Sequence, residues 1–314
     1  MLKRLSVTAL IVLCLASPLA VFANGEKESG VIKIGAAMAD SSDKWLSYLE
    51  DGVRAFGKDH ADVELLMTDG KADPAIQLSS VETLLTKGVK AIVIVPVDIS
   101  AIGPVITKCK EAKVPLIVVN RLPEEKFLKD VDVYVGSESI QAGLMQGEWV
   151  AKALGAAGGN VGILTGKSGH EAAIMRTQGN KDVFAKNTNI KIVMEAEGKW
   201  DRAQGMQIAE NWFQANKDLK AIVANNDEMA IGAVLAARSL NIKDEDIIIA
   251  GVDATPDALE YLGKGLDVTV FQSAHGQGYG GVEAAYKMIK KEKLEKMQWI
   301  PYELVTTENM ANYK

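Results

Sequence analysis

The residues best able to bind or react in this chain are planar polar side chains that directly follow predicted strands. In the stretch 221–237, Asn225, Asn226 and Asp227 stand between a short apolar run and a segment with apolar residues at helical spacing. Open α/β sheets bind their ligands at the carboxyl ends of their strands. We therefore expect the binding site of this chain among the polar residues at its strand ends.

The same arrangement recurs after other predicted strands, where Asp40 and Asn225 also lie, and we take ten of these residues as candidate binding residues. They are Asp43, Trp45, Asn120, Arg121, His170, Arg176, Trp200, Asn226, Asp253 and Gln272. Carboxylates, amides and guanidinium groups make hydrogen bonds in fixed planes, as adjacent sugar hydroxyls require. The two tryptophans could cover the two C–H faces of a sugar ring. Any single Asx residue after a strand can instead be a helix cap or a turn former.

The elements that must position these residues alternate along the chain. We predict helices at 44–60, 74–87, up to about 113, and at 140–154, 172–186, 201–216, 257–264 and 278–290. We predict strands at 31–37, 63–67, 91–95, 116–119, 131–135, 161–164, 190–196, 221–224, 247–252, 268–271 and 300–305. The alternation predicts an α/β fold, and its two similar halves indicate two doubly wound parallel-sheet lobes.

Size and charge limit the classes of partner. The chain has 314 residues, of which 48% are hydrophobic, and a net charge of −6. This length suffices for two lobes with separate cores. Because the chain is mildly acidic, neither nucleic acid nor an anionic membrane surface is expected as a partner.

The first residues indicate export. Lys3 and Arg4 precede an apolar stretch at 7–19 that is too short to span a bilayer, so we expect a signal peptide at 1–23 and a polar tether at 24–30. A membrane anchor and lipidation at Cys14 are the alternatives, and bulky Leu13 before that cysteine disfavours the second.

The mature chain would keep one cysteine, Cys109, which cannot form an internal disulfide. Its lysine neighbours could lower the pKa of the thiol. An inert position on a helix is the alternative, and it is the one we expect.

Longer motifs give the chain a resemblance to a known family. These motifs are LLTKGVKAIVIVPVD at 84–98, Gly169-His170 with Arg176, KWDRAQ at 199–204, ANNDEMAIGAV at 224–234 and GVDATPDAL at 251–259. With them the chain resembles the periplasmic solute-binding proteins for monosaccharides over nearly all of its mature length. The glucose/galactose-binding branch is the closer match, and the ribose-binding branch is somewhat less close.

This resemblance implies a type I periplasmic-binding-protein fold, in which three hinge strands join two lobes that close around a sugar. The first lobe would comprise 31–136 and 275–293, and the second 137–274 and 294–314. By position, Asp43, Trp45 and Asn120 would contact the sugar from the first lobe. The second lobe would supply the contacts of His170, Arg176, Trp200, Asn226, Asp253 and, near a hinge, Gln272.

Departures from the galactose-type pattern leave the identity of the bound sugar undetermined. Ala39 and Ala172 replace an aromatic and an acidic residue, whereas Arg121 and Gln272 match the ribose type. We expect a glucose- or galactose-like ligand, with ribose or a cyclic polyol such as inositol as the alternative. The segment 153–160 has no carboxylate where that branch binds calcium, so no metal is expected.

The resemblance also implies the partners: an ABC transporter permease, with a chemoreceptor as a second candidate, and a monomeric protein in the periplasm. A sensor without transport would share the same site. An enzyme is not expected, because the Gly276-x-Gly278-x-x-Gly281 pattern lacks a following βαβ unit and the segment 162–168 is one residue short of a phosphate loop. No histidine falls in a metal-ligand motif, and we expect no cofactor. A two-lobe transcriptional regulator would need an N-terminal DNA-binding unit where this chain has its export segment.

Overall fold

The structure is a computed structural model that describes residues 30–313. The predicted signal peptide and all but the last residue of the predicted tether lie outside the described residues. Within 30–313, no helix combines the length and the apolar character needed to cross a bilayer.

The first lobe is built on a six-stranded parallel sheet. Its strands are β1 (Ile32–Met38), β2 (Val63–Asp69), β3 (Ala91–Ile94), β4 (Leu116–Val119), β5 (Val133–Gly136) and β11 (Met297–Trp299), in the order β11-β5-β4-β3-β1-β2. Its helices are α1 (Lys44–Asp59), α2 (Pro74–Thr86), α3 (Gly103–Ala112), the short α4 (Glu125–Leu128) and α10 (Ala274–Ile289). The strand and helix order confirms the predicted α/β class, because crossover helices cover both faces of a parallel sheet.

The second lobe is built on a four-stranded parallel sheet, in the order β7-β6-β8-β9. Its strands are β6 (Gly159–Thr165), β7 (Ile190–Glu197), β8 (Leu219–Ala224) and β9 (Ile248–Ala250), and β10 (Thr269–Phe271) pairs antiparallel with β12 (Glu303–Val305) beside it. Its helices are α5 (Ser139–Leu154), α6 (Glu171–Ala185), α7 (Arg202–Ala215), α8 (Asp227–Ser239) and α9 (Pro256–Tyr261). The fold therefore has the two parallel-sheet lobes expected from the sequence.

Local sequence explains why these elements begin where they do. The Asp43 carboxylate accepts a hydrogen bond from the Leu46 amide and caps α1, and Asp201 caps α7 in the same way. The four residues of β3 are all buried, which is the pattern of a strand covered on both faces. These signals lie within a few residues of the element that they specify, so the sequence predicts them well.

The chain passes between the lobes three times. The crossings are the segment 137–138 between β5 and α5, the segment 272–273 between β10 and α10, and the segment 300–302 between β11 and β12. Three crossings are what the expected three-strand hinge requires.

The strand pairing moves one boundary of the expected division. We expected 294–314 in the second lobe, but β11 pairs with β5, with Gln298 opposite Val135, and so extends the first sheet. β11 has only three residues, with the polar Gln298 in the middle, and so short a pattern does not predict a strand. The third crossing therefore falls after β11, at residues 300–302.

The glycine pattern at 276–281 lies inside α10, which begins at Ala274 rather than at the predicted Gly278. A Cβ added to Gly278 would clash with the Leu49 carbonyl of α1, and one added to Gly281 would lie 2.5 Å from Val119. These glycines therefore allow α10 to pack closely on α1 and on the sheet.

Cys109 is buried on α3. Burial raises the pKa of its thiol to about 12, in spite of the two flanking lysines. The thiol therefore stays protonated near neutral pH, which fits an inert position.

Candidate functional site

All ten predicted binding residues line one cavity of about 270 Å³ between the two lobes. The first lobe contributes Asp43, Trp45, Asn120 and Arg121, and the second contributes His170, Arg176, Trp200, Asn226 and Asp253, with Gln272 in a crossing segment. The cavity forms where the carboxyl ends of the strands of both sheets face each other. Whether each of these side chains contacts a ligand stays a prediction.

Five further polar residues line the cavity and were missed at the sequence level: Asp98, Ser139, Lys167, Ser168 and Glu171. Asp98 follows β3, so the same strand-end rule could have found it. Glu171 is the first residue of α6 and precedes Ala172, the position where an acidic group was noted as missing. Ser139 Oγ donates to Glu171 Oε2 at 2.8 Å, which orients that carboxylate at the cavity wall.

On the first lobe, the polar groups are held by the backbone. Arg121 Nη1 donates to the carbonyl oxygens of Pro96 at 2.9 Å and Val97 at 3.1 Å. Burial raises the pKa of Asp43, and backbone hydrogen bonds and the positive charge of Arg121 act against this shift. The two backbone hydrogen bonds thus hold the positively charged Arg121 guanidinium in a fixed position at the cavity wall.

On the second lobe, Arg176 is the central group, only 3% exposed. Its Nη1 donates to the Asn225 carbonyl at 2.6 Å, and its Nη2 donates to Gln272 Oε1 at 2.7 Å and to the Tyr302 hydroxyl at 3.2 Å. Asp253 Oδ1 lies 3.6 Å from Nη1. Arg176 therefore joins α6 to two of the three crossing segments, in which Gln272 and Tyr302 lie.

Asp253 is a buried carboxylate at the cavity wall. It is 5% exposed, and its backbone is at φ 125°, where side chains other than glycine are rare. Burial raises the pKa of this carboxyl well above its usual range, and the Arg176 guanidinium opposes that rise. Burial of this carboxylate costs free energy, and the Arg176 guanidinium offsets part of that cost. Ligand hydroxyls that donate hydrogen bonds to the carboxylate would offset the rest.

Trp200 and His170 form a hydrogen-bonded pair at the same wall. Trp200 Nε1–H donates to His170 Nδ1 at 3.2 Å, so the ring proton of a neutral His170 is on Nε2. Burial lowers the pKa of His170 to about 4, and the positive charges of Arg121 and Lys167 lower it further. At neutral pH this imidazole is therefore an uncharged donor through Nε2–H.

Of the three polar residues that open α8, only Asn226 lines the cavity. Its Oδ1 caps α8 by accepting from the Met229 amide, and its Nδ2 donates to the Trp200 carbonyl. Asn225 and Asp227 are fully buried, where Asn225 accepts from the Gly166 amide and Asp227 accepts from the Thr269 hydroxyl at 2.6 Å. These two side chains hold the strand ends of the second lobe together.

The arrangement suits recognition of a polyhydroxylated ligand more than catalysis. Acceptors (Asp43, Asp253, Glu171) and donors (Arg176, His170) surround one cavity that also holds two indoles. His170 Nδ1 already accepts from Trp200 and is not free to activate a nucleophile. Across residues 30–313, no cluster of three or more His, Cys, Asp or Glu side chains is arranged to hold a metal ion.

Comparisons with known proteins find similarity over most of the chain. Residues 34–293 match the family model described as a periplasmic binding protein domain. A Rhizobium meliloti protein named for rhizopine binding is 38% identical over 285 residues, which cover 90% of this chain and 92% of that protein. The ribose import binding protein of Salmonella typhimurium is 30% identical over 258 residues, which cover 82% of this chain and 84% of that protein.

Among solved structures, an ABC transporter solute-binding protein from Bacillus halodurans C-125 with bound myo-inositol superimposes with a TM-score of 0.85. It is 40% identical, and the match covers 91% of this chain and 98% of that chain. The similarity therefore extends over both lobes and the crossings between them.

Proposed function

The chain belongs to the periplasmic binding protein family and is a sugar-binding solute-binding protein of the ABC transport type, and from this premise we propose that it captures a cyclic polyol of the inositol class. In this proposal the polyol binds in the cavity between the lobes, in contact with the ten residues predicted from the sequence. The protein is exported, and it delivers its ligand to an ABC permease.

The observation that carries the proposal is the set of planar polar groups and two indoles around one cavity between two lobes. An inositol ring has a hydroxyl on every carbon and no ring oxygen, so every position can both donate and accept. The cavity wall carries both acceptors, such as Asp43 and Asp253, and donors, such as Arg176 and His170, and such a ligand can pair with both. The similarity to a structure with bound myo-inositol, at 40% identity, supports this choice over a glucose- or galactose-like ligand.

Closure of the lobes is the proposed mechanism. A ligand that contacts only one lobe leaves the equilibrium between the open and closed forms unchanged, and contacts from the second lobe favour closure by their own free energy. A Kd near ~1 µM corresponds to about −8 kcal/mol. An analogue that lacks one hydroxyl would leave a buried partner unpaired, at a cost of about 1–3 kcal/mol.

Ribose is the second candidate ligand, since Arg121 and Gln272 match the ribose type and a ribose import binding protein is 30% identical. A glucose- or galactose-like ligand is the third. A periplasmic sensor that uses the same cavity to signal to a receptor is the alternative to transport.

A ligand panel tests the proposal. The protein without residues 1–23 is heated in the presence of myo-inositol, ribose, glucose, galactose or xylose, and the Kd of each hit is measured by calorimetry. We expect the largest stabilisation from myo-inositol, about 4 kcal/mol at a thousandfold excess over Kd. A larger shift in melting temperature with ribose or an aldohexose would make that sugar the proposed ligand in place of myo-inositol. No shift with any member of the panel would contradict sugar binding in this cavity.

One substitution tests the site itself. Asp253→Asn keeps the shape of the side chain but removes a charge-assisted acceptor worth about 1.5–3 kcal/mol, so the affinity should fall at least ~10-fold. Asp267→Asn is the matched control, because Asp267 accepts from the Ile249 amide outside the cavity. If wild type and Asp253→Asn bound the ligand with equal affinity, Asp253 would not be a ligand contact.

A further inference from the structure

Gln277 lies directly behind the cavity, on the first turn of α10. It is fully buried and does not line the cavity. Its Oε1 accepts from Asn120 Nδ2 at 3.0 Å, and its Nε2 donates to Ser137 Oγ at 3.0 Å. One side chain thus joins a cavity residue to the first crossing segment, in which Ser137 lies.

The main chain of Asn120 is held without Gln277. Its amide donates to the Val135 carbonyl at 2.9 Å, and its carbonyl accepts from the Tyr134 hydroxyl at 2.7 Å. Its φ of 66° is a left-handed conformation that asparagine tolerates. What these contacts leave open is the rotation of the side-chain amide, whose two ends have opposite hydrogen-bonding character.

The contact with Gln277 removes that freedom. Since one N–H of Asn120 Nδ2 donates to Gln277, the amide is held with Nδ2 toward α10, and Oδ1, on the other side of the amide, can accept from a ligand. Gln277 in turn cannot move aside easily, because α10 packs closely on α1. A Cβ on Gly278 would clash with the Leu49 carbonyl, and one on Gly52 would clash with the His275 carbonyl.

We infer that Gln277 is a positioning residue: it fixes the Asn120 amide as a hydrogen-bond acceptor toward the ligand and ties it to the first crossing at Ser137. Gln277 itself touches no ligand. This inference rests on the proposed function, because it treats Asn120 as a ligand contact.

A double-mutant cycle with myo-inositol separates positioning from a general structural role. Gln277→Met keeps the volume but removes both hydrogen bonds, and it should weaken binding up to ~10-fold, the effect of one hydrogen bond. In an Asn120→Ala background the same change should cost no further affinity, since Gln277 acts through Asn120. Additive losses would overturn the inference.

The matched control is Gln146→Met. Gln146 is equally buried, and its Nε2 donates to the Ala224 and Gly251 carbonyls in the second lobe. It should lower the melting temperature as Gln277→Met does, and any effect on affinity should add to that of Asn120→Ala. If Gln146→Met coupled to Asn120→Ala as strongly as Gln277→Met does, the coupling would reflect a general loss of stability. That result would overturn the inference.

A ligand-free measurement keeps the inference testable if no polyol binds. The side-chain amide protons of Asn120, followed by NMR in the free protein, should exchange slowly with solvent in wild type and faster in Gln277→Met. Equal exchange rates would contradict the inference, whereas a failed ligand panel with a clear difference in exchange would contradict the proposed function and not the positioning of Asn120 by Gln277.

Discussion

At the scale of single residues, the cavity depends on side chains whose protonation and orientation are set by their neighbours. His170 is uncharged at neutral pH because burial lowers its pKa to about 4, and Trp200 Nε1–H occupies its Nδ1. Asp98 faces it with a negative charge, and Arg121 and Lys167 face it with positive charges. The pair therefore presents a single donor, Nε2–H, to a ligand.

The lowered pKa of His170 predicts how stability changes with pH. Between pH 6.5 and about 4, the unfolded chain binds a proton at this residue that the folded protein does not bind, so the folded state loses stability as the pH falls through this window. His170→Gln removes this contribution. We expect the melting temperature of the variant to fall less than that of wild type between pH 7 and pH 4.5.

Thermal unfolding of both proteins across that range checks the prediction. Because all other titrating groups are shared, they cancel in the difference between the two curves. Parallel curves would show that His170 titrates alike in the folded and unfolded states.

At the scale of elements, the site is built where strands end and helices begin. Asp43 caps α1 and Asn226 caps α8, and both line the cavity. Asn120, Trp200 and Asp253 have positive φ values of 66°, 69° and 125°. Strained backbone of this kind persists where the surrounding structure enforces it, and it is frequent at ligand sites. Helix capping and a place in the cavity are thus not exclusive alternatives for an Asx residue.

The close packing of α10 on α1 gives a prediction at the same scale. Gly278→Ala would push a Cβ into the Leu49 carbonyl and should destabilise the protein by about 1–3 kcal/mol. Gly280→Ala is the matched control on the same helix, because its Cβ would meet only Val135 at 3.4 Å. Alanine there should be neutral or stabilising by about 0.5–1 kcal/mol.

Urea unfolding of the two variants measures the difference. A Gly278→Ala protein as stable as Gly280→Ala would mean that the two helices can separate without cost, and the packing explanation for the glycine pattern would fail.

At the scale of the whole molecule, the lobes meet through the crossings, the cavity and one ion pair. Lys44 Nζ of the first lobe lies 3.8 Å from Asp257 Oδ2 of the second, and it is the only ion pair between the lobes within residues 30–313. Arg202 holds Asp257 at 2.9 Å and also donates to Glu228. Arg202 therefore holds the acidic partner of Lys44 in place on the second lobe.

Because this ion pair joins the lobes outside the cavity, it should contribute to ligand affinity without touching the ligand. Lys44→Ala should weaken binding by less than about fivefold at low ionic strength, as expected for an exposed pair. The effect should vanish at high salt.

Lys33→Ala is the matched control, because Lys33 pairs with Glu64 at 3.9 Å within the first sheet. Its affinity should equal that of wild type at every salt concentration. The same loss in both variants would point to net charge rather than to contact between the lobes.

The amino-acid sequence by itself determined the α/β alternation, most element boundaries and a set of strand-end residues from which the ten predicted cavity residues come. These follow from local patterns and from one topological rule, that parallel strands bring their carboxyl ends to a common edge. Family resemblance supplied the three crossings, which the fold confirms.

Only the tertiary structure decided which sheet β11 joins, why Asn226 lines the cavity while Asn225 and Asp227 are buried, and which polar groups pair. The Asn120–Gln277 hydrogen bond joins residues 157 positions apart, and the Trp200–His170 bond joins residues 30 apart. No local pattern encodes such a pair, because its geometry is set by the packing of whole elements. The protonation of His170 and the orientation of the Asn120 amide depend on those pairs, so they too become visible only in the folded protein.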